Sequence, residues 1–196
     1  MAPAVILASG SASRRAILEG AGVPFAIQKP CVDEETLKAT YQDKSPAELA
    51  LALAKSKALS IDAPGAVVIG ADQVMEFDGQ PFDKPKSKEE LKLRLAKMAG
   101  QPHHLRGGVA LVKDGEILET IQETSTLTMR PLSETEIEGY VAALPDDIAL
   151  GTVGGYALEG LGARLFSSVD GDFFSILGLP LFPVLRILRT EGVLPW

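Results

Sequence analysis

Six residues, Val68-Ile69-Gly70-Ala71-Asp72-Gln73, constrain this chain more than any others. The apolar run Ala66 to Ile69 has the length of a buried strand. A Gly-Ala step then leads to a carboxylate. In open α/β sheets, reactive groups gather at the carboxyl ends of strands, where the backbone opens into a crevice. Asp72 is therefore expected at a strand end, either as an ordinary turn residue or as a group that does chemistry.

The flanking pattern is strand, loop, helix, repeated. Ala4 to Ala8 reads as a buried strand. Ser9-Gly10-Ser11-Ala12-Ser13 is a small polar loop, and a helix opening with Arg14 and Arg15 follows, ending at Gly20 or Gly22. Cations in a first turn oppose the helix dipole, so an anionic ligand such as phosphate would give them a reason. The other reading is an N-cap serine followed by surface arginines. The loop is not a Walker A sequence. Phe25 to Ile27 reads as a short strand. Asp33-Glu34-Glu35 reads as an acidic loop, or as oxygen donors for a hard cation such as Mg²⁺.

Helix starts are written into the sequence three times. Ser45-Pro46-x-Glu48, Ser87 with Glu90, and Ser133 with Glu136 each have an N-cap serine and a glutamate three residues on. The first predicts a helix over Ala47–Leu59, whose Lys55 and Lys57 read as dipole-matched surface residues. Val74–Phe77 with Asp78-Gly79 predicts a short hairpin, and Gly107–Val112 with Glu116–Met129 a long one. His103 and His104, adjacent on a strand, point to opposite faces, so one is packed and no shared metal is expected. The glycine-dense stretch Gly151–Gly162 either makes turns or lets a ligand approach backbone. Arg164–Val169 reads as a strand and Leu181–Glu191 as a last helix. Together these predict an α/β fold: one domain over residues 1–196, with a mixed sheet and flanking helices.

Composition removes several functions. Nineteen Lys and Arg against 26 Asp and Glu leave a net charge of −7, which disfavours a nucleic-acid polymer as partner. The single cysteine, Cys31, excludes a disulfide framework and fits a cytoplasmic location. No apolar run approaches the roughly 18 residues of a membrane span, and Met1–Ala4 lacks the basic start of a signal peptide. What remains is a set of carboxylates (Asp33, Glu34, Asp72) and cations (Arg14, Arg15, Lys57, Lys84) on loops and element ends. Carboxylates with a divalent ion can activate water, and cations can neutralise phosphates. Hydrolysis of a phosphoanhydride is the chemistry this set suggests.

The sequence resembles the Maf family of nucleoside triphosphate pyrophosphatases. The resemblance is carried by Leu7–Arg15, Asp33-Glu34, Leu53–Ala58, Gly70-Ala71-Asp72, Lys84-Pro85, Gly100–His103, Gly154–Gly160 and Gly178–Leu181, in the family's order. It implies an elongated mixed sheet with a central cleft, frequent homodimers, and cleavage of a nucleoside triphosphate to monophosphate and pyrophosphate with Mg²⁺ or Mn²⁺. It implies that Asp72 accepts a proton from water and that Glu34 assists or, with Asp72, holds the metal. Ser9, Ser11, Arg14, Lys57 and Lys84 would surround the triphosphate. A house-cleaning role and an association with division arrest also come with the family.

Two departures stand out: Ala12 replaces a usual proline, and Gly107 a usual threonine. Ser13, Gln73 and Glu159 fall at three positions that sort substrates, and the last two match the branch acting on 7-methyl-GTP. The resemblance thus leans towards a modified purine triphosphate, with a dTTP/UTP pyrophosphatase as the rival. A nucleotide-binding regulator without turnover is the rival of another class.

Overall fold

The computed structural model describes residues 5–196, so Ala4 and the reading of Met1–Ala4 lie outside the described residues. The fold is α/β with a mixed seven-stranded sheet in the order β2-β1-β3-β5-β6-β7, and β4 paired to β3. β1 (Val5–Ala8) runs parallel to both β2 (Ala26–Ile27) and β3 (Val67–Phe77). β3 pairs antiparallel with β4 (Gln80–Phe82), and β6 (Glu116–Met129) antiparallel with β7 (Phe166–Asp170). β5 (Pro102–Lys113) turns into β6 through Asp114 and Gly115, both with positive φ. Asp78 and Gly79 do the same between β3 and β4, as two-residue hairpins require.

The chain forms two compact units. The first comprises, of the described residues, 5–73, 106–123 and 172–196; the second comprises 74–105 and 124–171. β3, β5 and β6 each contribute residues to both units. The helices of the first unit are α1 (Ala12–Gly20), α2 (Glu34–Thr40), α3 (Pro46–Leu59), α7 (Phe173–Ile176) and α8 (Leu181–Thr190). Those of the second are α4 (Lys88–Met98), α5 (Glu134–Ala143) and the single turn α6 (Asp146–Ala149), with a 3₁₀ segment at Leu161–Leu165.

Strand alternation sorts the core of the first unit. Val67, Ile69 and Ala71 of β3 join Ile17 and Leu18 of α1 and Val184, Ile187 and Leu188 of α8 in one cluster. Val68 faces the other way, with Ala58 of α3 and Ala110 of β5. On that face α3 lies unusually close to the strands. A Cβ on Gly70 would stand 2.2 Å from the Ala54 carbonyl oxygen, and one on Gly108 2.5 Å from the Leu51 nitrogen. Glycine at both positions is what lets the helix backbone press onto the sheet.

This corrects the strand-end reading of Asp72. Gly70 and Ala71 do not terminate a strand; they thin it, and β3 runs on to Phe77 with Asp72 near its middle. The acidic loop at Asp33–Glu35 is also corrected. Asp33 caps α2, accepting from the Glu35 and Thr36 amides and the Thr36 hydroxyl, and Glu34 is the first helical residue. The capped helices after Ser45, Ser87 and Ser133 form as expected, with full capping boxes at the first and last.

Candidate active site

The first unit gathers most of the candidate residues, and the packing just described accounts for it. Gly70 and Asp72 lie on one face of β3, two residues apart. Ala54, Lys57 and Ala58 lie on one face of α3, at helical spacing. Pressing Ala54 and Ala58 onto Gly70 therefore carries Lys57 to Asp72, and its Nζ donates to Asp72 Oδ1 at 2.6 Å. Glu34 Oε1 accepts from the same Nζ at 3.0 Å. Glu34 arrives by its own route. The Cys31 amide donates to Ser60 Oγ at the end of α3, Asp33 caps α2, and α2 packs on α3.

Lys57 is not a surface residue: its side chain is 8% exposed, against 13% for Asp72 and 49% for Glu34. A lysine so buried needs paired acceptors, and here it has two carboxylates. The two carboxylates cannot be farther apart than the sum of their distances to the shared ammonium.

α1 supplies the second part of the site. Ser11 caps the helix by accepting from the Arg14 amide, and the buried Ser9 hydroxyl accepts from the Ser11 amide. The first-turn amides of Ala12 and Ser13 have no intrahelical acceptor and suit an anion. Ala12 occupies the first helical position, where a proline would also fit, so its substitution for proline leaves the helix start intact. Arg14 turns inward. It donates to Ser9 Oγ at 3.2 Å, to the Ala71 carbonyl at 2.8 Å and to the Gly178 carbonyl at 2.9 Å. Gly178 leaves the room for this: a Cβ there would meet Arg14 Nε at 3.2 Å. Burial pushes the Arg14 guanidinium below its ordinary value, and the charges of Asp72 and Glu34 oppose that push. Arg15 turns outward into an exposed pair with Glu19. Its neighbour Ser13 is half-buried on α1.

Gln73 has a different setting from Asp72. Alternation turns it to the opposite face of β3, where its Nε2 donates to the Ser175 carbonyl at 2.9 Å and the Ile176 carbonyl at 3.3 Å. Two carbonyl acceptors engage the amide nitrogen, and the side-chain oxygen is the remaining acceptor. Gly178, Ser175 and Ile176 were not visible as site residues. The sequence signal was the family motif Gly178–Leu181, whose glycine has φ +101°.

Lys84 and Glu159 belong to the second unit. Lys84 is exposed in the segment between β4 and α4, and Glu159 is exposed in a turn before the 3₁₀ segment. The glycine-dense stretch serves packing there. A Cβ on Gly154 or Gly162 would run into Tyr156, and one on Gly155 into Leu91. The Tyr156 hydroxyl lies 2.7 Å from Nε2 of the fully buried His103, and Phe166 stacks edge-on to Tyr156. His104 instead bonds Thr126, so the two histidines diverge as expected. In place of the usual threonine stands Gly107 of the first unit, where a built Cβ would make ordinary van der Waals contact with the Glu123 carbonyl oxygen at 3.7 Å.

Comparison with known proteins settles the lineage. Residues 4–191 match the family described as Maf-like protein. The chain belongs to the Maf family. A protein from Hyphomonas neptunium is 45% identical over 199 residues, covering 100% of both chains. One from Maricaulis maris is 44% identical over 191 residues, 96% of this chain and 97% of its own. One from Ruegeria pomeroyi is 44% identical over 194 residues, 97% of each. Each of the three is named nucleoside triphosphate pyrophosphatase. Among the described residues of this Maf protein, no helix is long and apolar enough to cross a membrane.

Proposed function

We propose that this Maf protein is a nucleoside triphosphate pyrophosphatase, opening the bond between the α and β phosphates to give a nucleoside monophosphate and pyrophosphate. The reading is carried by the convergence of Asp72 and Glu34 on Lys57, with the half-buried Arg14 near enough to feel both carboxylate charges. Asp72 takes the proton of the attacking water; the phosphoanhydride P–O bond breaks, and pyrophosphate leaves. Ser9, Ser11, the α1 amides and Arg14 hold phosphate oxygens. Lys57 adds positive charge for the triphosphate; Lys84 is a phosphate partner by its family motif alone.

The donor set fits a divalent ion such as Mg²⁺ or Mn²⁺. Among the described residues no three His, Cys, Asp or Glu gather, and Asp33 is committed to its helix cap. Mg²⁺, however, is typically held by one or two carboxylates with substrate phosphates and water completing its shell. Asp72 and Glu34 would hold it, and the ion would neutralise phosphate charge. Pyrophosphate release from a triphosphate panel tests the activity; orthophosphate as the product would refute it.

For the base, Gln73 and Glu159 favour 7-methyl-GTP or a related modified purine. Glu159 is an exposed acceptor for an N–H edge or a cationic methylated ring, and Gln73 offers its oxygen. Turnover confined to dTTP and UTP in the same panel would overturn this preference. A homodimer in the cytoplasm is the setting the family resemblance supports, with sedimentation as the check on the dimer.

A further inference from the structure

Lys57 stands where a cation bound to both carboxylates would stand. Its Nζ is 2.6 Å from Asp72 Oδ1 and 3.0 Å from Glu34 Oε1. Two oxygen donors from separate elements, meeting at one point, are also the protein half of a Mg²⁺ site. The two occupants compete. An ammonium and a divalent ion on the same oxygens would lie within a few ångströms of each other and repel strongly in a partly buried setting.

We propose that Lys57 is the resident counter-cation of the Asp72–Glu34 pair, and that a divalent ion binds there only as the ammonium leaves. The inference rests on reading Asp72 and Glu34 as the metal-holding pair. Packing decides which part moves. The α3 backbone is pressed onto β3 and β5 at Gly70 and Gly108, with no room to shift inward. The lysine stem is four flexible carbons ending in a compact point charge, and its rotation frees the carboxylates without moving the helix. The displaced ammonium then needs a new anion, and a phosphate oxygen of the triphosphate supplies one. Lys57 is thus a positioning residue for the carboxylates in the free protein and a phosphate partner in the loaded one. Before substrate arrives, Arg14 and Lys57 balance Asp72 and Glu34 charge for charge.

The test is a Mn²⁺ titration of the full chain without nucleotide, with free Mn²⁺ read by electron paramagnetic resonance. Lys57→Met keeps the stem and removes the charge. It should bind Mn²⁺ at least tenfold more tightly than the unsubstituted chain, and adding Glu34→Gln should abolish the gain. Equal or weaker binding in Lys57→Met overturns the proposal. A melting curve confirms that the variant folds. Should it not fold, the unsubstituted chain is acylated with an amine reagent and the Lys57 peptide is followed by mass spectrometry. Mn²⁺ should raise Lys57 labelling; labelling that stays unchanged overturns the proposal. Neither measurement needs turnover. A protein that shows the Mn²⁺ effects but releases no pyrophosphate would refute the hydrolase reading and leave the counter-cation in place.

Discussion

The two units bury polar groups by opposite means. In the first, the Lys57 ammonium is taken out of water and kept charged by two carboxylates, with Arg14 nearby on backbone carbonyls. In the second, His103 is taken out of water beside Tyr156 and Phe166, with no charge to meet it. Its Nδ1 has no partner among the described residues. Burial, reinforced by His104, lowers its pKa to about 4 and leaves the ring neutral. Burial likewise pushes the Tyr156 and Tyr140 phenols up. Paired charges can respond to an arriving ion or anion. A neutral, close-packed cluster has nothing to exchange and serves as a fixed support.

The largest expected effect breaks the charged side of this contrast. Asp72→Asn should lower pyrophosphate release by about 10²–10⁴-fold, the usual worth of a general base. Melting should change far less, because Lys57 keeps Glu34 as its partner. A variant within twofold of the unsubstituted rate would remove Asp72 from the chemistry.

The packing that delivers Lys57 to Asp72 is the next point to break. Gly70→Val drives side-chain atoms into the Ala54 carbonyl and should cost about 3 kcal/mol or more in denaturant unfolding. Gly107→Thr places its Cβ at ordinary contact distance from Glu123 and should stay within about 0.5 kcal/mol. Similar losses in both would mean that close approach of α3 is not what Gly70 provides.

The neutral side can be probed by pH. His103 has a folded value of about 4 against an ordinary 6.5. Above 6.5 the ring is neutral in both states, and its contribution is complete. Between 6.5 and 4 the unfolded chain takes up a proton that the folded chain refuses, so stability falls with pH, by on the order of 2–3 kcal/mol. Urea unfolding across this window should lose that slope in His103→Gln. An unaltered slope would locate the pH dependence elsewhere. Tyr156→Phe, which leaves Nε2 unpaired as well, should cost about 1–2 kcal/mol. The smallest effect sharpens the contrast within α1. Arg15→Ala loses only an exposed pair with Glu19 and should shift stability by less than about 0.5 kcal/mol, with KM unchanged.

Local signals were legible in the sequence, and long-range ones were not. The capped starts after Ser45 and Ser133 and the turns at Asp78-Gly79 and Asp114-Gly115 depend on neighbours within four residues, and they form as read. Asp33 caps a helix that the sequence hid, because α2 buries no residue fully and so carries little apolar pattern. Gly70 looked like punctuation because its reason, the Ala54 carbonyl of α3, lies 16 residues away in the chain. Lys57 looked like a surface lysine for the same reason. Its burial follows from where α3 lands, which helix periodicity alone does not fix. The candidate site was found as a set of residue types in family order. That Asp72, Glu34 and Lys57 share one point, while Gln73 faces away, required the strand register.

The first unit is assembled from three separate stretches of chain, and the last of them begins at Asp172. That final stretch carries α8, whose Leu181, Val184, Ile187 and Leu188 close the core over β1 and β3. It also carries the Gly178 carbonyl that holds Arg14. During synthesis the second unit is wholly translated by residue 171, while the first still lacks its covering helix. The Glu34–Lys57–Asp72 set lies within the first stretch, so what arrives last is the carbonyl that holds Arg14 and the helix that covers the core. A chain halted before Asp172 would leave that face of β1 and β3 to α1 alone, with the apolar surface that α8 covers open to chaperones and proteases.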